Sequence, residues 1–493
     1  MMAGRFIERI ARLAWPGTSI DPLLRAATLE DGEAAAAAWR QFEAQADFDK
    51  LSWGQLRLIS LAARRISDFA PDSPMRPRIA GIERSIWTRS QKVVGEARSA
   101  LRKLSDASVP ILTIKGAGRA AGGAASARGR IVNDIDILVN TEDLETAFDI
   151  LVADGWTPSS SGSPLYNRTR LGHATGINFV RGEFGNIDLH RTAFHSPFDE
   201  ETEDAGIWAR SLPGRLGGID LRIPAPLDAI VIAIAHGTLD AHKSSDWLAD
   251  IAQAIDEGVE WENFVKTIGK RGMAPAALAA LCYVRDRLDR DIPAEVMAEI
   301  ESTAAAQPLR LAGTIAEARP KSERFDLAWL ARAATKQRRL FRGRRKDRGK
   351  RSPLVLASPF GSPLASRTQA ADRGATAHLE VRLPLPGFDG TRDWSGSVEI
   401  LLIAETPPAS RRIEFEINCG SRHMARLRAV VRDRGARDVA LRFRVPLHIA
   451  AGEPDPQLLA VPARSFNTKA TQEELDRYGA VPFRLTAVKA RPS

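Results

Sequence analysis

Apolar positions recur at helical spacing through the first hundred residues. Leu51, Leu56, Leu58, Ile59, Leu61 and Ala62 form one stripe, and Ile82, Ile86, Val93, Val94 and Ala97 form a second. This spacing predicts amphipathic helices across residues 19–107. The Ala34–Ala38 run favours helix by propensity alone. Pro71, Pro74 and Pro77 punctuate the interval between the two stripes.

The pattern changes at residue 109. Val109–Ile114 is a short apolar strand that stops at Lys115-Gly116, and Ile131–Val139 is a second strand. Residues 116–127 between them are rich in Gly and Ala, which suits a loop and a close-packed helix. Thr141-Glu142-Asp143 opens a helix with a cap and first-turn acids, and Gly155 ends it. Ser159–Pro164 is a loop, and Gly176–Val180 with Asn186–His190 form a hairpin. Helical spacing returns over 226–306, in Leu227–His236, around Trp247–Ile255, in Trp261–Ile268 and in Ala276–Leu288. A further helix is expected at 322–341, and residues 352–375 read as a Pro/Ser-rich linker.

Beyond residue 376 the apolar period becomes two. Leu379 to Leu385, Val398 to Leu402, Ile413 to Cys419, Ala425 to Val431, Val439 to Val445, and Phe483 with Leu485 alternate with mostly polar neighbours. Six such runs predict an antiparallel β-sandwich. The expected class is therefore α+β, a mixed sheet with flanking helices plus a C-terminal all-β module. The expected organisation is an N-terminal helical region at 1–108, an α/β core at 109–225 and a helical region at 226–335. A basic linker at 336–375 and a β-sandwich at 376–493 follow.

Charge narrows the function classes less than its sum suggests. The net charge is +9 from 70 basic and 61 acidic residues. Lys336–Arg351 alone holds ten basic residues and one acid, Asp347, so the rest of the chain is balanced. A globally basic nucleic-acid surface is not implied. Contact with nucleic acid or an anionic membrane is expected only through 336–351; a solvated helix end and linker is the alternative. Cys282 and Cys419, the two cysteines, exclude a disulfide framework and a cysteine zinc site. The N-terminal residues alternate charged and apolar types, unlike a secretory signal, and the longest apolar run is Ala229–Ala235. A cytoplasmic location is expected.

The chemistry concentrates in Asn133-Asp134-Ile135-Asp136-Ile137-Leu138-Val139. Residues two apart on a strand share a face, so Asp134 and Asp136 project together while Ile135 and Ile137 enter the core. Paired carboxylates repel unless a cation lies between them. Mg²⁺ takes oxygen ligands from one or two carboxylates and from substrate phosphates. Asp188, in Ile187-Asp188-Leu189-His190, is the third acid that would complete a two-metal site for phosphoryl or nucleotidyl transfer. A solvated strand end is the bland alternative for an isolated Asp-x-Asp pair.

Lys115-Gly116, Arg130, the 134–139 strand and the Asp188-x-His190 strand together resemble the bacterial family of uncharacterised nucleotidyltransferases, within the DNA polymerase β-like superfamily. The resemblance covers roughly residues 20–300, and its downstream part includes Ala235-His236-Gly237 and Asp246-Trp247-Leu248-Ala249-Asp250-Ile251. It implies that Asp134, Asp136 and Asp188 are catalytic and bind two Mg²⁺ ions that hold an NTP. It implies that Lys115, Gly116 and Arg130 contact the nucleotide, and that His190 lies on the acceptor side. It implies an acceptor hydroxyl, with a small molecule, a glycan and a protein all open as its bearer. Ala117 replaces a serine usual in the superfamily, and 17 residues separate Gly116 from Asp134, more than in compact members. Ala117 and the C-terminal module support an alternative, a nucleotidyltransferase fold retained as a binding or scaffold protein. A polyanion-binding module centred on 336–351 is a third option. His236 is expected in a core hydrogen bond, Asp246 and Asp250 on an ordinary polar helix face, and Arg170 and His173 near the Ser-rich loop.

Overall fold

The computed structural model describes residues 2–123, 129–159, 167–168, 171–172, 174–194, 198, 201–238, 242–320, 355–356, 380–405, 412–420, 422–430, 438–461 and 483–492. The expected 322–341 helix, the 352–375 linker, the basic 336–351 stretch, Arg170 and His173 lie outside them. The chain divides into two compact units, and the C-terminal strands belong to the second.

Seven of the described helices bear on the site. They are α1 (Trp53–Ala63), α2 (Arg76–Asp106), α3 (Lys115–Ala121), α4 (Leu144–Ala153), α5 (Pro226–Gly237), α6 (Asp246–Asp256) and α7 (Ala274–Leu288). Their ends follow from local chemistry. Ser52 caps α1 in a reciprocal box, its hydroxyl accepting from Gln55 N while the Gln55 side chain accepts from Ser52 N. Helices α2, α5 and α7 carry proline in the first turn, where its missing N–H costs nothing. Along α2 the buried positions Ile79, Ile86, Val93, Ala97, Ala100 and Leu104 hold one face over 31 residues. The helix is about 46 Å long at the usual rise.

The strands are β1 (Leu112–Thr113), β2 (Ile135–Leu138), β3 (Thr157–Pro158), β4 (Gly176–Arg181), β5 (Gly185–His190), β6 (Leu212–Leu216) and β7 (Ile219–Ile223). They form one mixed sheet in the order β3-β4-β5-β2-β1-β7-β6. β2 runs antiparallel to β1 and parallel to β5, while β1 runs parallel to β7. The β6–β7 hairpin turns at Gly217-Gly218, with φ of 58° and 82°. Two consecutive positive φ values suit glycine and match the twist of a tight hairpin. Helices before and after the sheet share one core, in which Trp39, Leu58, Ile114, Leu138, Ile230, Ile251 and Leu281 are all buried. Each such side chain contributes roughly 1.5–3 kcal/mol by leaving water.

The C-terminal strands are β8 (Val355–Leu356), β9 (Glu380–Arg382), β10 (Trp394–Glu405), β11 (Arg412–Cys419), β12 (Arg422–Val430), β13 (Asp438–Ile449), β14 (Gln457–Val461) and β15 (Phe483–Pro492). They make a three-stranded sheet, β13-β10-β15, and a five-stranded sheet, β8-β12-β11-β14-β9. All their described pairings are antiparallel except β8 on β12. The inward residues of both sheets form one cluster. The Phe415 ring on β11 meets Phe443 at 6.1 Å and Phe483 at 5.0 Å, so the two sheets pack face to face. Every expected alternating run lies at or beside a strand. β8 and β14 are additional.

Candidate active site

Short strands and a short helix bring the acids and cations together. β2 lies beside β5 with Asp136 opposite Asp188 and Leu138 opposite His190. Parallel register therefore puts two carboxylates side by side, although they are far apart in sequence. Asp136, Asp188 and His190 present ligand atoms within 4.8 Å of one another. Asp134 precedes the strand, which begins at Ile135, and it is outside that group. The strand expected at 131–139 is thus shorter than the apolar pattern suggests.

Lys115 opens α3 with φ of 55°, a left-handed conformation uncommon for a residue with a side chain. Its Nζ lies 2.5 Å from Asp136 Oδ1. His190 is fully buried, and its Nε2 lies 3.0 Å from Asp136 Oδ1 and 3.1 Å from Asp188 Oδ2. Two cationic groups thus stand against two carboxylates.

The protonation states follow from this geometry. Burial alone would raise the Asp136 pKa, but Lys115 and His190 hold it well below the usual carboxylate range. Burial also opposes ionised Asp188, and the His190 hydrogen bond outweighs it, leaving Asp188 low. Burial would lower His190, yet its bonds to Asp136 and Asp188 push it up to about 9. The imidazole is therefore protonated at neutral pH and Nε2–H donates to both acids. Lys115 loses to burial but gains more from Asp136, so it too stays charged. Asp134 is the exception: burial and then the Asp136 charge push it up to about 6.

A cleft of about 990 Å³ opens over these groups. Lys115, Gly116, Asp134, Asp136 and Arg130 line it, with an apolar wall that includes Pro213, Ile223, Pro224 and Ile232. That volume lies within the range of small-ligand sites. Gly116 is there for space, because a Cβ would sit 2.8 Å from the Ile131 carbonyl oxygen.

Arg130 ion-pairs with acids other than Asp136 and Asp188. It is ion-paired with Asp246 and, at 2.8 Å, with Asp250, both on α6. Arg57 from α1 reaches Asp246 at 2.5 Å. These four charges tie α1, the segment before β2 and α6 into one cleft wall. Arg57 and Asp246 carry no signal in the sequence beyond an ordinary polar helix face. Arg119 pairs with Glu257 at 3.0 Å on the same cleft. His236 lines the cleft and lies 3.2 Å from the Ala193 carbonyl oxygen.

A mixed sheet with flanking helices and an acidic pair on adjacent central strands defines a nucleotidyltransferase-like α+β fold. Residues 53–289, just under half of the chain, match the family described as Uncharacterised nucleotidyltransferase. The match opens at the first residue of α1, closes just after α7, and contains every residue that lines the cleft. The C-terminal sheets lie beyond it. Comparison with curated proteins gave no match, and comparison with solved structures gave none.

Proposed function

We propose that the protein transfers a nucleoside monophosphate from an NTP to a hydroxyl acceptor, the new phosphoester forming as the α–β phosphoanhydride breaks and pyrophosphate leaves. The observation that carries this is the register of Asp136 against Asp188 beside the cleft. The donor set fits a hard divalent ion, because two ionised carboxylates lie on neighbouring strands with ligand atoms within 4.8 Å. Mg²⁺, with two ions expected, would neutralise the triphosphate and clamp the attacking and leaving oxygens.

The chain's own residues do the rest. Asp136 and Asp188 hold the charge that attracts the ions. Asp134, with its pKa near 6, is ionised above that pH and adds a further carboxylate to the cleft. Lys115 stands where it can move from Asp136 to a phosphate oxygen. Asp188 accepts the acceptor hydroxyl proton, and His190 holds the Asp188 carboxylate in place. Arg130 fixes the cleft wall through α6 and contributes positive potential to the nucleotide. The core at 109–225 binds the NTP, the helices at 226–335 shape the acceptor side, and the module at 376–493 is accessory.

The test is a labelled-NTP transfer screen against cell lysate, with Asp134→Asn/Asp136→Asn as control. Label transferred by the wild type and lost in the double variant supports the assignment; equal transfer by both removes it.

One observation favours a second function, a binding or scaffold protein that keeps the fold without the chemistry. Lys115 and His190 already neutralise Asp136 and Asp188 without any metal. Titration calorimetry with each of the four NTPs and Mg²⁺ separates the two. Absence of heat with all four, on folded protein, supports the scaffold.

A further inference from the structure

The outer faces of the two C-terminal sheets differ in charge. On the five-stranded sheet, Arg426 opposes Glu416 and Arg428 opposes Glu414 across the β11–β12 ladder, and both pairs are ion-paired. Those two pairs are neutral. On the three-stranded sheet the outward positions carry Arg442, Arg444, Arg484, Lys489 and Arg491, all exposed, against Glu399 and, at the far end of the β10–β13 ladder, Glu405 and Asp438. Glu399 pairs with Arg442. No ion pair joins Arg484, Lys489 or Arg491 to a carboxylate among the described residues.

The register arranges these cations in two rails. β10 is the central strand, and its outward residues include Ser395, Ser397 and Glu399. Arg442 and Arg444 on β13 flank it on one side, and Arg484, Lys489 and Arg491 on β15 flank it on the other. The rails lie about 10 Å apart, two strand spacings, with roughly 7 Å between successive outward positions on a strand. Near Trp394 the track between them is hydroxyl-bearing, and Leu401 and Ile403 continue it towards Glu405. Arg444 Nε donates to Ser397 Oγ at 3.1 Å, and His448 Nδ1 lies 2.6 Å from Ser395 Oγ. The ladder ends at Glu405 and Asp438, so the cationic stretch has a defined limit.

We infer that this face binds a linear anionic polysaccharide lying along β10, its carboxylates or sulfates held by both rails. Arginine forks suit such planar or trigonal anions. The exposed positions of the face carry no Phe, Tyr or Trp ring on which bases would stack. Its large aliphatic side chains, Leu401 and Ile403 on β10, are half-buried, whereas the flanking cations are exposed. No helix or ribbon rises from the face to read a nucleic-acid groove among the described residues. The surface is distinct from the cleft, so it stands whether or not the protein transfers nucleotides.

The test uses the full chain and fluorescence anisotropy with labelled heparin octasaccharide across a salt series. The variant Arg444→Ser/Lys489→Ser/Arg491→Ser removes exposed side chains only. It is expected to bind about tenfold or more weakly, with a salt slope reduced by about three. A second variant, Arg444→Lys/Arg491→Lys, keeps the charge and is expected to retain most of the affinity. A third replaces the basic residues of 336–351 by Ser and is expected to keep the β10 contribution. Unchanged binding by the first variant overturns the inference, as does loss confined to the third. Tighter binding to single-stranded DNA, duplex DNA or phosphatidylserine vesicles than to heparin, equal binding to neutral dextran, or no binding to heparin overturns it as well.

Discussion

Lys115 Nζ stands 2.5 Å from Asp136 Oδ1, held there by the left-handed backbone that begins α3. The ammonium occupies the charge role that a divalent ion would take at the same carboxylate. Lys115→Met should therefore destabilise the metal-free protein by about 1–3 kcal/mol, since a buried acid loses a charged partner. Saturating Mg²⁺ should recover part of that loss, because the ion supplies the missing charge. Denaturant melts with and without Mg²⁺ measure both. A variant as stable as the wild type without metal rules out this charge-compensation role.

Arg130 makes the next prediction. The resemblance assigns it to the nucleotide, whereas the structure pairs it with Asp246 and Asp250. Arg130→Met should cost about 3–5 kcal/mol because two acids are left short of a buried partner. Adding Asp250→Asn should cost less than the sum of the single changes, with a coupling of about 1–3 kcal/mol. A stability loss below about 1 kcal/mol for Arg130→Met, accompanied by weaker NTP binding, would reverse the balance towards a pure ligand role.

The sequence made part of this site legible and hid the rest for physical reasons. Asp134-x-Asp136 and Asp188-x-His190 stand out because period two on a short apolar strand is a local signal. The pairing of Asp136 with Asp188 is not local: it depends on the parallel register of β2 and β5. The start of β2 at Ile135 was also hidden, since Ile131 and Val132 are buried without belonging to the strand. Arg57 reads as one more solvated helix charge until α1 meets α6. β14 escaped notice because Leu458, Leu459 and Ala460 are all buried, which removes the alternation that marks a half-exposed strand. The strands β10 to β13 keep that alternation and were readable.

Gly237 tests how closely α5 and α6 pack behind the cleft. A Cβ on Gly237 would lie 2.0 Å from Cδ2 of the Trp247 ring, far inside contact distance. Gly237→Ala must displace the indole and should cost about 1–3 kcal/mol. Trp247→Leu, which vacates that space, should recover part of the loss when combined with it, even though it costs stability alone. Melting temperatures of the two single variants and the double variant give the coupling. Simple additivity would show that the ring is free to move.

His242 gives the pH prediction. Its Nε2 lies 2.6 Å from the Ala14 carbonyl oxygen and its Nδ1 lies 3.0 Å from Ser245 Oγ. A neutral ring satisfies both contacts, with Nε2–H donating to Ala14 and Nδ1 accepting from the serine hydroxyl. Burial lowers its pKa below the ordinary 6.5, and the Ala14 bond offsets this only partly. The folded pKa is thus below the unfolded one. Its contribution to stability is fully present above about 6.5 and is lost as pH falls through the folded value. His242→Gln should remove that pH dependence. Between neutral pH and mild acid, the stability difference between wild type and variant should shrink by at most about 1.4 kcal/mol per pH unit. Groups such as Asp134 and His190 titrate in both proteins, so their effects cancel in the difference. Denaturation midpoints that fall in parallel for the two proteins across that window would show that His242 is not held neutral by the fold.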